Sequence, residues 1–129
     1  MHVTSTGISL NVADPQASAA FLCQHIGYQV AMQDDGFLSL SHPEAPNIIF
    51  LRTGLPSFKP SSHAGPARDG LILAFVVDDV DAEFERMRKE GAEVVTPPET
   101  EPWGERYCQF HDPNNLIIQL VTWVPTPDH

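Results

Sequence analysis

The sequence has few of the features that mark a membrane, secreted or disulfide-stabilised protein. Its 129 residues include two cysteines, Cys23 and Cys108, and neither stands in a Cys-x-x-Cys or Cys/His ligand spacing. No apolar run approaches the roughly 20 residues that a membrane helix needs, and the N-terminus lacks the basic-then-apolar order of a signal peptide. We therefore expect a cytoplasmic protein with two free thiols and no association with a membrane.

Basic residues are scarce. Lys and Arg together number 7 against 17 Asp and Glu, which gives a formal net charge of −10. Such a field repels phosphate backbones and attracts cations, so we expect no nucleic-acid partner, and a basic small molecule is compatible with it. The alternative is that the acidity only keeps the protein in solution.

The common catalytic and phosphate-binding motifs are also missing. We find no Ser-His-Asp arrangement, no nucleophile elbow, no Gly-rich phosphate loop and no His-x-x-x-His pair. His42 and His111 occupy equivalent places beside turns, which favours a structural or solvent-facing role over a site. The sequence therefore offers no motif that by itself indicates an enzyme.

What the sequence does contain is an internal repeat. Three pairs of matching segments occur in the same order: LNVAD (10–14) with FVVDD (75–79), GYQV (27–30) with GAEV (91–94), and SHPEAPNIIFL (41–51) with FHDPNNLIIQL (110–120). Matches in a fixed order predict two copies of one structural module.

Each copy has the pattern of a β-α-β-β-β module. In the first, a strand from Gly7 to Ala13 precedes a helix with Asp14 as N-cap, Pro15 at the first helical position and Gly27 as the stop. Further strands are predicted at 28–33, 37–42 and 47–52. The second copy has a strand at 70–77, a helix at 79–90, and strands at 93–97, 105–111 and 116–123.

The predicted fold class is therefore α+β, a single domain of two tandem βαβββ modules at about 7–52 and 70–123. A linker rich in Pro, Gly and Ser, residues 53–69, joins them. We expect a cup-shaped mixed sheet with the helices outside, because each first strand alternates between an apolar face for the helix and a second face that lines a cleft.

With these features the sequence resembles the vicinal oxygen chelate superfamily, which includes glyoxalase I, bleomycin resistance proteins, fosfomycin resistance proteins and extradiol dioxygenases. The resemblance runs from about Gly7 to Trp123 and rests on the paired modules, the V-x-D strand ends and the DPNN turn before the last strand. It implies homodimers as the common assembly.

The resemblance also implies where metal ligands stand in metal-using members: early in the first strand and late in the last strand of each module. Alignment of the two copies puts Gly7, Phe50, Ile72 and Gln119 at these positions. Gln119 alone has a donor atom, and one neutral ligand cannot hold a divalent ion. We therefore expect no metal and no cofactor.

The remaining cleft positions suit an organic guest. A mainly apolar and aromatic lining with a few polar groups is typical of small-molecule pockets. The alternative is that these side chains fill a second core. The loop PWGERY, 102–107, resembles the Pro-Trp-Gly loop of bleomycin resistance proteins, although Trp103 could instead pack under its own loop or at a subunit contact. The candidate ligand-binding residues are Asn11, Leu38, Leu40, Phe50, Arg52, Ile72, Trp103, Tyr107, Gln109 and Gln119.

Three hypotheses follow. The leading one is a metal-free protein that sequesters an apolar, planar or cationic compound such as an antibiotic or a metabolite, with no catalytic residue. The second is a glyoxalase-like lyase, isomerase or dioxygenase with a non-standard or metal-independent site, in which Tyr107 or a histidine acts as acid or base. The third is a module that serves only in assembly.

Overall fold

A computed structural model describes residues 1–125, which form two compact units, the first from Met1 to Asp69 and the second beginning at Gly70. The first unit contains β1 (Gly7–Val12), α1 (Pro15–His25), β2 (Gln29–Asp34), β3 (Phe37–Ser41), β4 (Asn47–Arg52) and a 3-10 turn (Ser61–His63). The second contains β5 (Ile72–Val76), α2 (Val80–Lys89), β6 (Glu93–Thr100), β7 (Glu105–His111) and β8 (Ile117–Trp123).

Helix α1 begins and ends where its capping residues predict. The Asp14 carboxylate accepts a hydrogen bond from the backbone N–H of Ala17 at 3.2 Å, and Pro15 follows in the first turn. Gly27, with a φ of +90°, ends the helix in a left-handed conformation that few other residues adopt. Helix α2 has the same N-cap, because Asp79 accepts from Ala82 at 3.1 Å. Within residues 1–125 neither helix has the length or the apolar character to cross a membrane.

The two sheets have the same topology. Their strand orders are β1-β4-β3-β2 and β5-β8-β7-β6, with the first strand of each unit parallel to its last strand and the other pairs antiparallel. This arrangement confirms the prediction of an α+β fold built from two βαβββ modules.

In each unit the helix packs against one face of its own sheet. In the first unit Leu10, Phe50 and Leu40 lie beneath α1 with exposed fractions of 5% or less. In the second, Phe110 is fully buried and its ring lies 5.6 Å from that of Phe84 on α2. Burial of these side chains is the main source of stability in each module.

Both cysteines are free, and Cys108 belongs to the buried layer of the second unit. Burial raises the pKa of its thiol to about 11. Cys108 is therefore a packed, protonated side chain at neutral pH.

Strand β6 is longer than predicted. The sequence prediction ended at Pro97, yet the strand continues to Thr100 although proline cannot donate to a strand ladder. Register shifts on either side of Thr96 in the pairing with β7 accommodate Pro97 and Pro98 within this edge strand.

Candidate functional site

Five of the ten predicted ligand-binding residues lie on the face of their sheet that turns away from its helix: Asn11, Ile72, Tyr107, Gln109 and Gln119. We call this face the open face. Strand pairing defines its members, because directly paired residues point to the same side of a sheet. In the first unit the open face includes Gly7, Ser9, Asn11, Ile49 and Leu51, and in the second it includes Ile72, Ala74, Tyr107, Gln109 and Gln119.

Three predicted site residues of the first unit lie on the wrong face. Phe50 pairs with Leu10 and with Leu38, so all three point toward α1, and Leu40 joins them through its pairing with Ile48. Phe50, Leu38 and Leu40 are at most 1% exposed. The prediction that they line a cleft is therefore wrong, and they form the hydrophobic layer beneath the helix.

Arg52 was also misassigned. It pairs with Val12 at the end of β4, on the helix side, and its guanidinium lies 3.1 Å from the carboxylate of Asp35. Both side chains are substantially exposed, at 43% and 89%. The pair is therefore a solvent-screened surface contact rather than part of the open face.

The alignment of the two copies explains these errors. In the equivalent first strands, Ser9 pairs with Ile49 whereas Ala74 pairs with Gln119. The structural counterpart of Gln119 is thus Ile49, and the counterpart of Phe50 is Leu120. The matched letters IIFL and IIQL are therefore one residue out of structural register, although the turns before β4 and β8 have equal length, since Leu40 pairs with Ile48 and Phe110 with Ile118.

The corrected positions still provide no set of metal ligands. Gly7, Ile49 and Ile72 have no side-chain donor atom, which leaves Gln119 alone among the four. Among residues 1–125 no group of three or more His, Cys, Asp or Glu side chains is placed to hold a metal ion. The donor set therefore does not fit a divalent ion that needs three or four protein ligands.

Polar side chains on the second open face form a hydrogen-bonded row across three strands. The hydroxyl of Thr96 donates to Oε1 of Gln109 at 2.7 Å, and Nε2 of Gln109 donates to Oε1 of Gln119 at 2.8 Å. The amide oxygen of Gln119 is thus already engaged, and its Nε2 group ends the row as a donor. This polarity suits a hydrogen-bond acceptor on a guest better than a metal ion.

Tyr107 lies on the same face, and its hydroxyl group is engaged in a hydrogen bond with a nearby carboxylate. Its hydroxyl donates to Oε1 of Glu101 at 2.8 Å. This hydrogen bond, with further contributions from nearby carboxylates, raises the pKa of Tyr107 to about 12. A phenol with so high a pKa is a poor general base near neutral pH.

Other aromatic and aliphatic side chains of the second unit are open to solvent. Trp103, in the loop between β6 and β7, is 61% exposed, and Trp123, at the end of β8, is 57% exposed. Ile72 on the edge strand is half exposed. Such side chains can contact a planar guest through their flat or apolar surfaces.

The first open face differs, because a segment of chain lies over it. Residues 53–67, here called the covering segment, line an open pocket of about 860 Å³ together with Ser9, Asn11 and Leu51 of the sheet. The volume lies in the range of drug-sized sites. The covering segment supplies most of the pocket wall: Leu55, Ser57, Phe58, Lys59, Pro60, Ser62, His63, Gly65, Pro66 and Ala67.

Asn11 holds the covering segment in place. Its Nδ2 donates to the carbonyl oxygens of His63 at 2.6 Å and of Gly65 at 2.9 Å. The backbone of Asn11 also accepts from the N–H of Ala67 at 2.8 Å. The sequence singled out Asn11 as a group that hydrogen-bonds a guest; the structure places it in the pocket wall, with both amide hydrogens committed to the segment.

Sequence reasoning did not find the contribution of the covering segment. Its Pro, Gly and Ser content is typical of a connection between modules, and it contains no regular pattern. Leu55 and Phe58 could have indicated that the segment packs on the sheet, because two large apolar residues in an otherwise polar connection need a partner surface.

Comparison with known proteins identifies the family of this chain. The family model described as "Glyoxalase/Bleomycin resistance protein/Dioxygenase superfamily" matches residues 2–120, nearly the whole chain. The chain belongs to this superfamily. Curated relatives of this superfamily member include uncharacterized proteins of Mycobacterium bovis and Mycobacterium tuberculosis, each 34% identical over 83 residues, or 64% of this chain. The chain spans about half the length of these relatives, since the matched residues are 50% and 45% of them.

Solved structures of low sequence identity share the superfamily fold. One is a glyoxalase/bleomycin resistance protein/dioxygenase from Nocardioides, with a TM-score of 0.74 at 23% identity, covering 100% of this chain and 90% of that one. Another is a superfamily enzyme from Burkholderia phytofirmans, with a TM-score of 0.78 at 18% identity and coverage of 92% and 98%. A third, TnmS3, an antibiotic-binding protein from Streptomyces, has a TM-score of 0.72 at 24% identity and coverage of 96% and 99%.

Proposed function

We propose that this superfamily member binds and sequesters a small, largely apolar or planar compound, such as an antibiotic or a metabolite, without a metal ion. The observation that carries the proposal is the chemistry of the four family ligand positions. Gly7, Ile49 and Ile72 have no donor atom, and the oxygen of Gln119 already accepts a hydrogen bond from Gln109. Polarisation of a substrate oxygen by a metal ion has no ligand set here.

The open faces have the composition of a binding surface. The pocket of the first unit combines Leu51, Leu55 and Phe58 with a few hydroxyl and amide groups. The second unit presents an exposed Ile72, two residues from the strand partner of Gln119, and an exposed Trp103 in the loop before β7. The antibiotic-binding protein TnmS3 has the same fold, which makes an antibiotic a reasonable class of guest to test.

Sequestration rather than conversion is supported by the state of Tyr107, an acid-base candidate on the second open face. Tyr107 keeps its proton because it donates to Glu101 and has a pKa of about 12. A group that releases a proton only in strongly alkaline solution contributes little as a base at neutral pH.

Isothermal titration calorimetry with a panel of planar aromatic and glycopeptide antibiotics tests the proposal. We expect saturable binding by at least one compound. For a compound bound on the second open face, Gln119→Leu should lower the affinity about fivefold, since a neutral hydrogen bond contributes about 1 kcal/mol. Gln33→Leu, a matched change at an exposed position of β2, should bind like the wild type.

Two results would overturn the proposal. The first is stoichiometric nickel, zinc, iron or manganese in protein purified without chelators, which would indicate that the usual metal chemistry operates through other ligands. The second is conversion of a bound compound into a product, detected by mass spectrometry, which would establish catalysis instead of sequestration.

A further inference from the structure

The charge of the pocket wall in the first unit differs from that of the protein as a whole. None of the thirteen residues that line the pocket within the described chain is acidic, although the chain carries 17 acidic residues. Lys59 and His63 are the basic members of the wall. Lys59 forms no ion pair within residues 1–125, so its ammonium group is available to a guest.

We propose that this pocket takes an apolar compound that carries a single carboxylate, with the ring system against Leu51, Leu55 and Phe58 and the carboxylate beside Lys59. The inference rests on the proposed function, since it names the chemical class of the guest. It departs from the basic small molecule with which the acidic net charge is compatible.

Local charge decides this preference because distant charge is screened. At physiological ionic strength the Debye length is about 8 Å, so carboxylates elsewhere on the surface act weakly on a guest inside the pocket. A cationic guest would find the ring of Phe58 but no carboxylate among the lining residues to offset its lost hydration, and the ammonium group of Lys59 would repel it. A carboxylate guest has Lys59 as a counter-ion and the hydroxyl of Ser57 as a neutral donor.

The apolar residues of the pocket wall determine the chemistry of the guest apart from its carboxylate. Leu55 and Phe58 are partly buried although they belong to a connecting segment, and together with Leu51 they form an apolar surface. Removal of a ring system from water against such a surface is favourable in proportion to its apolar area. A fused aromatic ring with one acidic arm therefore matches both components of the wall.

Three probes with the same ring system and different charge test the inference: 2-naphthylacetate, 2-naphthylacetamide and 2-(2-naphthyl)ethylamine. Binding is measured by calorimetry at neutral pH and physiological salt. We expect the carboxylate to bind at least tenfold more tightly than the amide, and the amine to bind most weakly. In Lys59→Met the affinity for the carboxylate should fall to that of the amide, while the affinity for the amide stays within twofold of the wild type.

Lys89→Met is the matched control, because it makes the same change in net charge on an exposed turn of α2. It should leave the affinities for all three probes unchanged. Equal affinities for the three probes, a preference for the amine, or an equal effect of the two lysine substitutions would overturn the charge preference and leave the proposed function standing. Failure of all three probes to bind would overturn the pocket as the site, and the antibiotic panel would then decide the proposed function separately.

Discussion

The two modules share a buried layer and differ on their open faces. Beneath the helices, Leu10 and Phe50 of the first unit correspond to Phe75 and Leu120 of the second, in the same strand register. On the open faces, the first module has a pocket under the covering segment, whereas the second has a row of hydrogen-bonded polar side chains that ends at Gln119.

This difference shows which positions the fold constrains. Each helix requires a complementary apolar layer beneath it, so those positions stay large and hydrophobic in both copies. The open faces contribute less to folding, and their side chains are therefore free to differ in polarity between copies. The proposed function therefore depends on the open faces rather than on the layers beneath the helices.

Replacement of Phe50 is the strongest test of the comparison. Phe50→Ala should lower the free energy of unfolding by about 3–5 kcal/mol, because it leaves a cavity in the layer beneath α1. Its neighbour Ile49 lies on the open face and is only partly buried, so Ile49→Ala should cost markedly less. Urea denaturation measures both, and equal costs would contradict the assignment of the two faces.

Replacement of Asn11 tests whether the covering segment depends on its anchor. Asn11→Ala removes two side-chain hydrogen bonds to the backbone of the segment, and we expect a loss of about 1–2 kcal/mol in the free energy of unfolding. Limited proteolysis should then cleave the segment faster. Gln24→Ala, at an exposed position of α1, is the control and should change stability by less than about 0.5 kcal/mol. Unchanged proteolysis in Asn11→Ala would show that other contacts hold the segment.

The smallest expected effect concerns Tyr107 of the second module. Because its pKa rises from 10.0 to about 12 in the folded protein, the hydrogen bond to Glu101 contributes stability below pH 10 that is lost as the pH rises from 10 toward 12. Tyr107→Phe should therefore show a shallower loss of thermal stability over this interval. Thermal melts at several alkaline pH values give the comparison, and parallel profiles for the two proteins would exclude the linkage.

The repeat allowed most of the fold to be predicted, because helix caps and strand patterns are local signals. The N-cap at Asp14, the stop at Gly27 and the bounds of β4 and β7 follow from adjacent residues. The face of a strand residue is different, since it depends on register, and a one-residue error in alignment moves every side chain to the other side. Phe50 was therefore misplaced although its strand was correct.

The pocket was harder still to predict, because it depends on contacts between distant parts of the sequence. Asn11 reaches backbone carbonyls more than fifty residues away. No periodicity connects it with Phe58 or Lys59, and a connection rich in Pro and Gly gives no pattern that indicates which surface it covers. By contrast, Gln109 and Gln119 were predicted on the same face because they belong to adjacent antiparallel strands with an obvious alternation.

The way the covering segment is attached has a consequence for the origin of new specificities. The segment leaves the sheet where the N–H of Thr53 donates to the carbonyl of Val12, and it returns where the N–H of Ala67 donates to the carbonyl of Asn11, the preceding residue of β1. A loop whose two ends meet at adjacent residues can change in length or composition without disturbing the sheet, and the entropic cost of a longer loop rises slowly. We therefore expect that insertions and substitutions in the covering segment can change the compound bound while the sheet keeps its structure.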